Sequence, residues 1–550
     1  MRKNILIAFI AIIILLTAPW WLPLGRKSAG LSPFLTSDSI FWLGITLLGG
    51  TLCQNLLSNR STENIGKAIR VATNKFISHW PIFLGLLLFS LYVVNRFILH
   101  EFMNSADEHS CYFLAECLRK GKLWATPHPL AEFFEVIHIG NKGGKWFSVY
   151  PPGWPLLFAL ALNCHLGNWV NPFLSLLSIF FFFKVGEKMF GPNATALGIF
   201  IMVTTPFFLF NNASYFSHTT CLLAISFFLY SYYKWAELRS VFWASLCAIA
   251  IGYGLGTRYL TMVAITGPFL IYEVTQLVSK RVKWNRSYLV FGIILLIAIV
   301  LILYYNYLIT GNLFNAPNHY YHGWERLGFH RDYTFFDAMR FIQDRFFFLM
   351  NWVSPAFLLL YILSLFQTRK EKPRYTLCRY GFFYLVVGYI FYYSWGGNQY
   401  GPRYYFEGLP FLALACGDFI WRVRNSNHRQ VQKFMTGILL VALVGNAYLL
   451  LKQGTYYEKA SSERKALYVL AEETIRDPAI VFIRGFLGDT LVMSEDDAIR
   501  NRPDLQDKIL YAHDFKDKNT ALTKFYPNRL YFLGYYDRQA KVARLEPLRN

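Results

Sequence analysis

The chain has 550 residues, of which 55% are hydrophobic, 19% are aromatic and only 16% are charged. Soluble domains carry about 25% charged residues, so this composition excludes an ordinary soluble enzyme and indicates a polytopic membrane protein. The formal net charge of +21 does not indicate nucleic-acid binding, because the basic residues lie in short clusters between apolar segments, as in the cytoplasmic loops of membrane proteins. The eight cysteines lack the spacing of a metal site.

Apolar segments predict about 13 transmembrane helices, if each crossing takes about 20 residues and some helices are short or tilted. The candidate spans are 5–24, 39–57, 79–99, 171–188, 194–212, 216–233, 239–256, 259–278, 287–309, 346–366, 379–395, 404–421 and 432–451. The first span ends in APWWLPL without a small-residue cleavage site, so we interpret it as an uncleaved anchor with interfacial tryptophans. The expected fold class is mainly α, a polytopic membrane protein.

The distribution of lysine and arginine predicts the orientation of these spans. The basic loops at 58–78, 279–286, 367–374 and 421–429 all fall on the cytoplasmic side if the segment 154–166 does not cross the membrane. That segment is too short for a hydrocarbon core of about 30 Å, which suits a re-entrant or interfacial helix. The loops 100–170 and 310–345 and the tail then lie on the outer face.

We divide the chain into three parts on this basis. Residues 1–78 hold additional N-terminal transmembrane helices, residues 79–451 form the main transmembrane domain, and residues 452–550 form a C-terminal domain on the outer face. The tail carries balanced charges and short β-rich runs, AIVFIRG and RLYFLGYY, among Asp, Asn and Pro. This pattern predicts a small mixed α/β domain.

Two adjacent carboxylates, Asp107 and Glu108, follow the span 79–99 in the stretch NSADEHSCYFLAECLRKGK. The spacing of Ser105 and Glu108 predicts a capping box, and the apolar stripe that follows predicts an exposed helix that ends at Gly121. Both acids therefore have a structural interpretation, because Glu108 would cap its own helix and Asp107 would suit the helix dipole.

Other polar groups are predicted at the same membrane face. Lys145 and Tyr150 precede the turn of KWFSVYPPGWPLLFALAL, which returns the chain to the membrane. GTRYLT places Arg258 at the outer end of an apolar helix, and WGGNQYGPRYYFEGLPFLAL places Arg403 at the start of another. Helix N-termini and guanidinium groups both suit phosphate, although snorkelling to the interface explains either arginine equally well. Their convergence with the carboxylates on one face favours a functional site.

The order of these motifs resembles that of the GT-C membrane glycosyltransferases. An outer DE pair, YPPGxPLL, the pair Ser217 and His218 at a helix start, GxRY, and LP follow one another within residues 79–451. More narrowly, the pattern resembles bacterial protein-mannosyltransferases and lipid A aminoarabinose transferases, and the tail run NRPDLQDKILYAHD is similar to tails in this group. The chain departs from the pattern at His109, where relatives often have Pro, and at His218, where some have an acid.

The resemblance implies an inverting glycosyltransferase that moves a sugar from a polyprenyl-phosphate donor to an acceptor hydroxyl of a lipid, glycan or protein. It places the enzyme in the inner (cytoplasmic) membrane, with its active site on the periplasmic face of residues 79–451. Asp107 would be the general base with Glu108 beside it, and we expect partial desolvation to raise the pKa of Asp107. Arg403, with Arg258 as second choice, would neutralise the departing phosphate.

Further polar residues would line the substrate cavity, namely Lys145 and Tyr150 for the pyrophosphate-side or sugar contacts, and His218, His319 and His322. For each of the three histidines a structural role is favoured over a catalytic one. The loop 310–345 could close over the site, and its aromatic residues could stack on a sugar or form an interfacial belt. No cofactor is certain, and a divalent metal ion is left open.

The alternative hypothesis is a transporter or flippase for a lipid-linked sugar, which would use the same outer cavity without chemistry. Transporters tend to carry inverted repeats and charges at the middle of their spans, and we find neither in the sequence. A membrane scaffold would not depend on Asp107. Under the leading hypothesis the partners are the lipid-linked donor, a cell-envelope acceptor and the bilayer, and no nucleic acid.

Overall fold

A computed structural model describes residues 33–323, 327–366, 373–394, 396, 399–484, 499–537 and 539–548. The predicted span 5–24 and most of the basic cluster 367–374 lie outside the described residues.

Helices dominate the described structure. They are α1 (Pro33–Leu56), α2 (Asn59–Ser78), α3 (Trp80–Val93), α4 (Ala106–Arg119), α5 (Gly153–Asn163), α6 (Val170–Phe190), α7 (Pro192–Val203), α8 (Pro206–Ala213), α9 (His218–Leu238), α10 (Val241–Val278), α11 (Arg286–Thr310), α12 (Pro317–His322), α13 (Phe335–Leu349), α14 (Pro355–Leu365), α15 (Pro373–Arg379), α16 (Gly381–Gly388), α17 (Leu409–Arg424), α18 (Arg429–Thr474) and α19 (Asn519–Phe525).

Short helical turns and strands complete the described elements. A π-helical turn, Val94–Ile98, extends α3, and 3₁₀ turns occur at Ala131–Phe134, Tyr389–Phe391, Arg403–Gly408 and Lys516–Lys518. The strands are β1 (Ile139–Lys142), β2 (Lys145–Ser148), β3 (Ala479–Ile483), β4 (Ile509–His513), β5 (Leu530–Asp537) and β6 (Val542–Pro547).

Four helices in the described part of the chain are long and apolar enough to cross a membrane. They are α3 with its π-helical extension, α10, α11 and α18. The pair α7 and α8, bent by 71° at a short break, could form a fifth crossing. Other predicted spans contain shorter apolar helices, such as α14. A mainly helical fold is thus confirmed, whereas thirteen crossings stay a prediction.

Helix α10 turns back on itself at Arg258, whose φ of −148° and ψ of 83° lie outside the helical region. Nη1 of Arg239, just before the helix, lies 2.9 Å from Oε2 of Glu273 near its end. A straight helix would separate these two residues by about 50 Å. Three glycines in IGYGLGTRY weaken the helix before the turn. The two arms therefore match the predicted spans 239–256 and 259–278, with Arg258 at the apex.

The C-terminal region folds into a four-stranded sheet in the order β4-β3-β5-β6. Strands β4, β3 and β5 are parallel, and β6 is antiparallel to β5. With α19 this sheet confirms the mixed α/β tail.

Helix α18 has 46 residues. Its length of about 69 Å exceeds the thickness of a membrane core, which is about 30 Å. The predicted boundary between residues 451 and 452 lies inside this helix, and the division into domains stays a prediction.

Helix α4 lies between this sheet and the membrane helices. Phe113 and Leu114 belong to the apolar cluster that includes the inner faces of β3, β4 and β5. Cys111 and Ala115, on another face, pack with Trp154 of α5. The expected exposed helix is therefore wrong, because apolar groups cover both faces and only the last turn is exposed.

Close backbone contact between α7 and α17 holds part of the bundle together. A Cβ on Gly417 would overlap the carbonyl oxygen of Ala194, and a Cβ on Gly198 would overlap that of Ala413. Small residues permit such contact between membrane helices, where hydrophobic burial alone gives little drive for association.

Gly417→Val should destabilise the protein by about 1–3 kcal/mol or more, because the added atoms must push α7 and α17 apart. Thermal unfolding in detergent measures the effect. Gly292→Val in α11 is the matched control, since a Cβ there meets nothing within 4 Å. Equal melting temperatures for the two variants would show that the contact of α7 with α17 does not limit stability.

Candidate functional site

Asp107, in the first turn of α4, accepts hydrogen bonds from three side chains. Nη2 of Arg403 lies 3.2 Å from Oδ2, and the hydroxyl of Ser105 donates to the same oxygen at 2.8 Å. The hydroxyl of Tyr150 donates to Oδ1. The side chain of Asp107 is still 23% exposed, so a substrate can reach it. The structure thus brings together three predicted site residues, Asp107, Tyr150 and Arg403.

Local structure explains how two of these groups are positioned. Ser105 is the N-cap of α4, and its hydroxyl accepts from the backbone N–H of Asp107 at 3.1 Å. Tyr150 precedes the Pro-Pro-Gly turn, where Tyr253 of α10 donates to the carbonyl of Gly153 at 2.7 Å. A Cβ on Gly153 would overlap the hydroxyl of Thr257, so only glycine lets this turn pack against the α10 apex.

Arg403 opens the 3₁₀ turn that leads into α17. Its guanidinium carbon lies 4.0 Å from the centroid of the Phe216 ring, and only 10% of the side chain is exposed. Its buried Nε has no hydrogen-bond partner among the described residues. A snorkelling side chain would extend to water instead, so that interpretation does not fit Arg403.

A second polar cluster lies on the same 3₁₀ turn, with Glu407 and His218 buried and Arg258 13% exposed. Oε1 of Glu407 lies 3.0 Å from Nδ1 of His218 and 3.3 Å from Nε of Arg258. Nη2 of Arg258 is 3.5 Å from the hydroxyl of Tyr389. Arg258 and His218 therefore meet through Glu407, which sequence analysis missed. The available signal was an acid four residues after Arg403 in the run RYYFEGLP.

Glu108 does not form the predicted capping box. Its side chain is fully buried, and Oε1 accepts from the backbone N–H of Tyr215 at 2.8 Å. The other oxygen, Oε2, has no hydrogen-bond partner within the part of the chain that the structure describes. Burial raises the pKa of Glu108 to about 7, although the Tyr215 N–H and Arg403 oppose the shift. Glu108 therefore ties α4 to the segment before α9.

The pKa of Asp107 differs from the expectation. Burial alone would raise it, but the charges of Arg403 and His138 and the hydrogen bonds from Tyr150 and Ser105 outweigh that effect. The pKa of Asp107 therefore lies well below its usual range, and the expected rise is wrong for the protein without substrate.

Two histidines lie beside the Asp107 carboxylate. Nδ1 of His138, which sequence analysis missed, is 3.1 Å from Nε2 of His322, and the His138 ring lies 5.8 Å from that of Tyr150. Burial lowers the pKa of His322 to about 4, and His138 contributes. His319 lies one turn earlier on α12. No motif marks His138, because it is a single histidine in an irregular loop.

Lys145 is placed elsewhere. Its Nζ donates to the carbonyl of Leu308 at 2.5 Å and lies 3.4 Å from that of Ile309. The same ammonium lies 4.7 Å from the ring centroid of Trp124. A cation suits the C-terminal carbonyls of a helix, so Lys145 holds β2 against the end of α11 and does not join the Asp107 cluster.

The polar side chains near Asp107 are already hydrogen-bonded to one another. No group of three or more His, Cys, Asp or Glu side chains that could hold one occurs in residues 33–548 outside the undescribed gaps. The carboxylate of Asp107 accepts hydrogen bonds from Arg403 and from two hydroxyl groups, and the rings of His138 and His322 are hydrogen-bonded to each other. In this arrangement these side chains do not form a ligand set for a divalent metal ion.

Comparisons with known proteins support the fold. No family model and no curated sequence matches the chain. Its structure is similar to that of ArnT from Cupriavidus metallidurans bound to undecaprenyl phosphate, with a TM-score of 0.50 and 12% identity over 84% of this chain and 93% of that one. The GT-C-like membrane fold that the motif order implies is thereby confirmed.

Two structures of the oligosaccharyltransferase from Archaeoglobus fulgidus also match. One, with an inhibitory peptide and a dolichol-phosphate, has a TM-score of 0.42 and 11% identity over 84% of this chain and 70% of that one. The other, a complex with Zn and sulfate, has a TM-score of 0.45 and 12% identity over 82% of this chain and 67% of that one.

Glu108→Gln should stabilise the protein increasingly as the pH rises. Burial raises the pKa of Glu108 from 4.5 to about 7, so the stability that its proton contributes is lost as the pH rises between these values. Gln does not titrate, so the melting temperature of the variant should exceed that of the wild type more at about pH 8 than at about pH 5. Glu132→Gln, at an exposed position, is the control. A difference that stays constant with pH would contradict this assignment.

Proposed function

We propose that the chain is an integral-membrane glycosyltransferase that moves a sugar from a polyprenyl-phosphate donor to an acceptor hydroxyl. The observation that carries this proposal is the ion pair between the partly exposed carboxylate of Asp107 and the largely buried guanidinium group of Arg403. These are a proton acceptor and an anion partner, held together at one end of an apolar helical bundle. The similar fold of ArnT, whose structure contains undecaprenyl phosphate, supports a lipid-phosphate donor.

Arg403 is the proposed partner of the donor phosphate. Its guanidinium already lies against Phe216, and its Nε has no hydrogen-bond partner among the residues described. A phosphate oxygen could therefore bind Nε while a second approached Nη2, which now contacts Asp107. Such a two-point contact gives charge-assisted hydrogen bonds with fixed geometry. Arg258, bound to Glu407, adds positive charge nearby and supports the turn that carries Arg403.

Asp107 is the proposed general base. Without donor, Arg403 holds the pKa of Asp107 low, which makes the carboxylate a weak base. A bound phosphate would share the charge of Arg403, and its own negative charge would raise the pKa of Asp107. Donor binding would thus activate the base. Glu108, although its pKa is higher, is fully buried and cannot reach an acceptor.

The proposed reaction is a single displacement that inverts the anomeric carbon. The acceptor oxygen attacks this carbon while its proton passes to Asp107, and the bond from the carbon to the phosphate oxygen breaks. The leaving oxygen keeps the bonding electrons, and Arg403 stabilises the added charge. Tyr150 would hold the carboxylate of Asp107 in position through its hydroxyl.

The proposed location is the inner membrane, with the Asp107 cluster on the periplasmic face. Helix α17 connects the two ends of the bundle. It follows the turn that carries Glu407, and it ends at Arg424, within the basic segment 421–429. Basic loops favour the cytoplasmic side. The acceptor would then be a lipid, glycan or protein of the cell envelope that reaches Asp107 from outside.

Asp107→Asn should leave the protein folded and reduce sugar transfer by about 10²–10⁴-fold, because the amide cannot take the acceptor proton. Transfer from a polyprenyl-phosphate sugar, followed by mass spectrometry of the products in reconstituted membranes, measures this. Asp504→Asn, which breaks an ion pair with Lys120 far from the cluster, is the control. If Asp107→Asn transfers sugar as fast as the wild type, Asp107 is not the general base. If the wild type moves the donor across the membrane without transferring its sugar, the protein is a flippase.

Arg403→Lys should weaken binding of sugar-free polyprenyl phosphate by about tenfold or more, since an ammonium cannot reproduce the planar two-point contact. Competition against the sugar donor in detergent measures the affinity. Arg96→Lys makes the same change in an ion pair with Glu101 whose arginine is 48% exposed, and it should bind as the wild type does. Equal affinity in all three proteins would mean that Arg403 does not hold the phosphate.

A further inference from the structure

A polar cavity lies at the end of the bundle opposite Asp107. It has a volume of about 630 Å³ and is lined by one face of α2, the end of α17, residues 425–427 and the start of α18. Gly66 permits this arrangement, because a Cβ there would lie 3.0 Å from two nitrogens of Arg424. The cavity plays no part in the glycosyl transfer proposed above.

The cavity carries more positive charge than its carboxylates can balance. Lys67, Arg70, Arg424 and Arg429 line it, and its one acidic lining residue, Glu63, forms an ion pair with Arg429. Nη2 of Arg70 is 3.4 Å from the amide oxygen of Asn425, a neutral partner. Nη1 of Arg424 is buried and has no hydrogen-bond partner in the described chain. A buried guanidinium nitrogen without a partner is costly, so an anion would complete this cavity.

An apolar groove of about 850 Å³ adjoins the polar cavity on the other side of α2. The two spaces meet at Ile69 and Leu439, which line both of them. The groove opens to the side of the bundle, where Ile82 and Leu86 are about 60% exposed. An anionic cavity ligand could therefore extend an apolar chain into the groove without leaving the protein surface.

We propose that an anionic phospholipid of the bilayer binds here, with its phosphate between Arg70 and Arg424 and an acyl chain in the groove beside Ala72. Only an amphiphile uses both spaces, since a free phosphate leaves the groove empty and an apolar partner leaves Arg424 without an anion. The basic loops place this end on the cytoplasmic side, where anionic lipids attract basic pockets between membrane helices. This site is independent of the sugar donor and of Asp107.

Native mass spectrometry of the full-length protein, titrated in detergent with phosphatidylglycerol or phosphatidylcholine, tests the headgroup. The wild type should retain one phosphatidylglycerol in preference to phosphatidylcholine. The double variant Arg70→Gln and Arg424→Gln should bind phosphatidylglycerol about 25-fold more weakly, at about fivefold for each cation removed. Arg60→Gln with Arg281→Gln removes the same charge from exposed positions outside the cavity and should bind as the wild type does.

A second pair of variants tests the groove. Ala72→Trp fills the groove and should weaken phosphatidylglycerol binding, whereas Val71→Trp, at a 54% exposed position on the adjacent face, should not. Equal retention of the lipid by the cavity variant and its charge-matched control would overturn the proposal. A second pair of results would also overturn it: inorganic phosphate displaces the lipid at equal concentration, and Ala72→Trp does not change lipid binding. Together these results would identify a site for a free anion. A wild-type dimer that Ala72→Trp converts to monomer would assign the groove to a second copy.

Discussion

The ion pair of Asp107 with Arg403 is the contact on which the candidate site depends. It joins α4, which is packed against the C-terminal sheet, to the turn that leads into α17 of the membrane bundle. Each partner is fixed independently, Asp107 by the cap of its own helix and Arg403 by the ring of Phe216. The two parts of the protein therefore meet at a charged contact that a phosphate could enter without unfolding either part.

The cluster around the buried Glu407 explains why the turn before α17 keeps its shape. Glu407 contacts Arg258 at the apex of α10 and His218 at the start of α9, so one carboxylate joins three separate elements. Removing one partner of such a buried set leaves an uncompensated charge, which costs more than the intact set contributes. The cluster thus supports the position of Arg403 through packing and charge, with no contact to Asp107 itself.

The sequence predicted the membrane class, the mixed tail and the convergence of Asp107, Tyr150 and Arg403, because hydropathy, charge bias and motif order report these directly. It failed where a partner is distant in sequence. The carboxylate of Glu108 bonds to Tyr215, 107 residues away, so local spacing alone suggested a capping box. Glu407 and His218 are separated by 189 residues and form no local pattern. The low pKa of Asp107 likewise depends on the nearby charge of Arg403, which the expectation from burial omitted.

Helix α18 extends through the molecule as one rod. Near its start Gln432 and Leu439 line the basic cavity, and further along, the hydroxyl of Tyr457 accepts from the backbone N–H of Tyr400 at 3.2 Å. Arg464 donates to the carbonyl of Asn104, one residue before the cap of α4, at 2.6 Å. A hydrogen-bonded helix resists compression along its axis, so the length of α18 fixes the distance between these two sets of contacts. The helix therefore serves as a spacer between the basic cavity and the segment that carries the cap of α4.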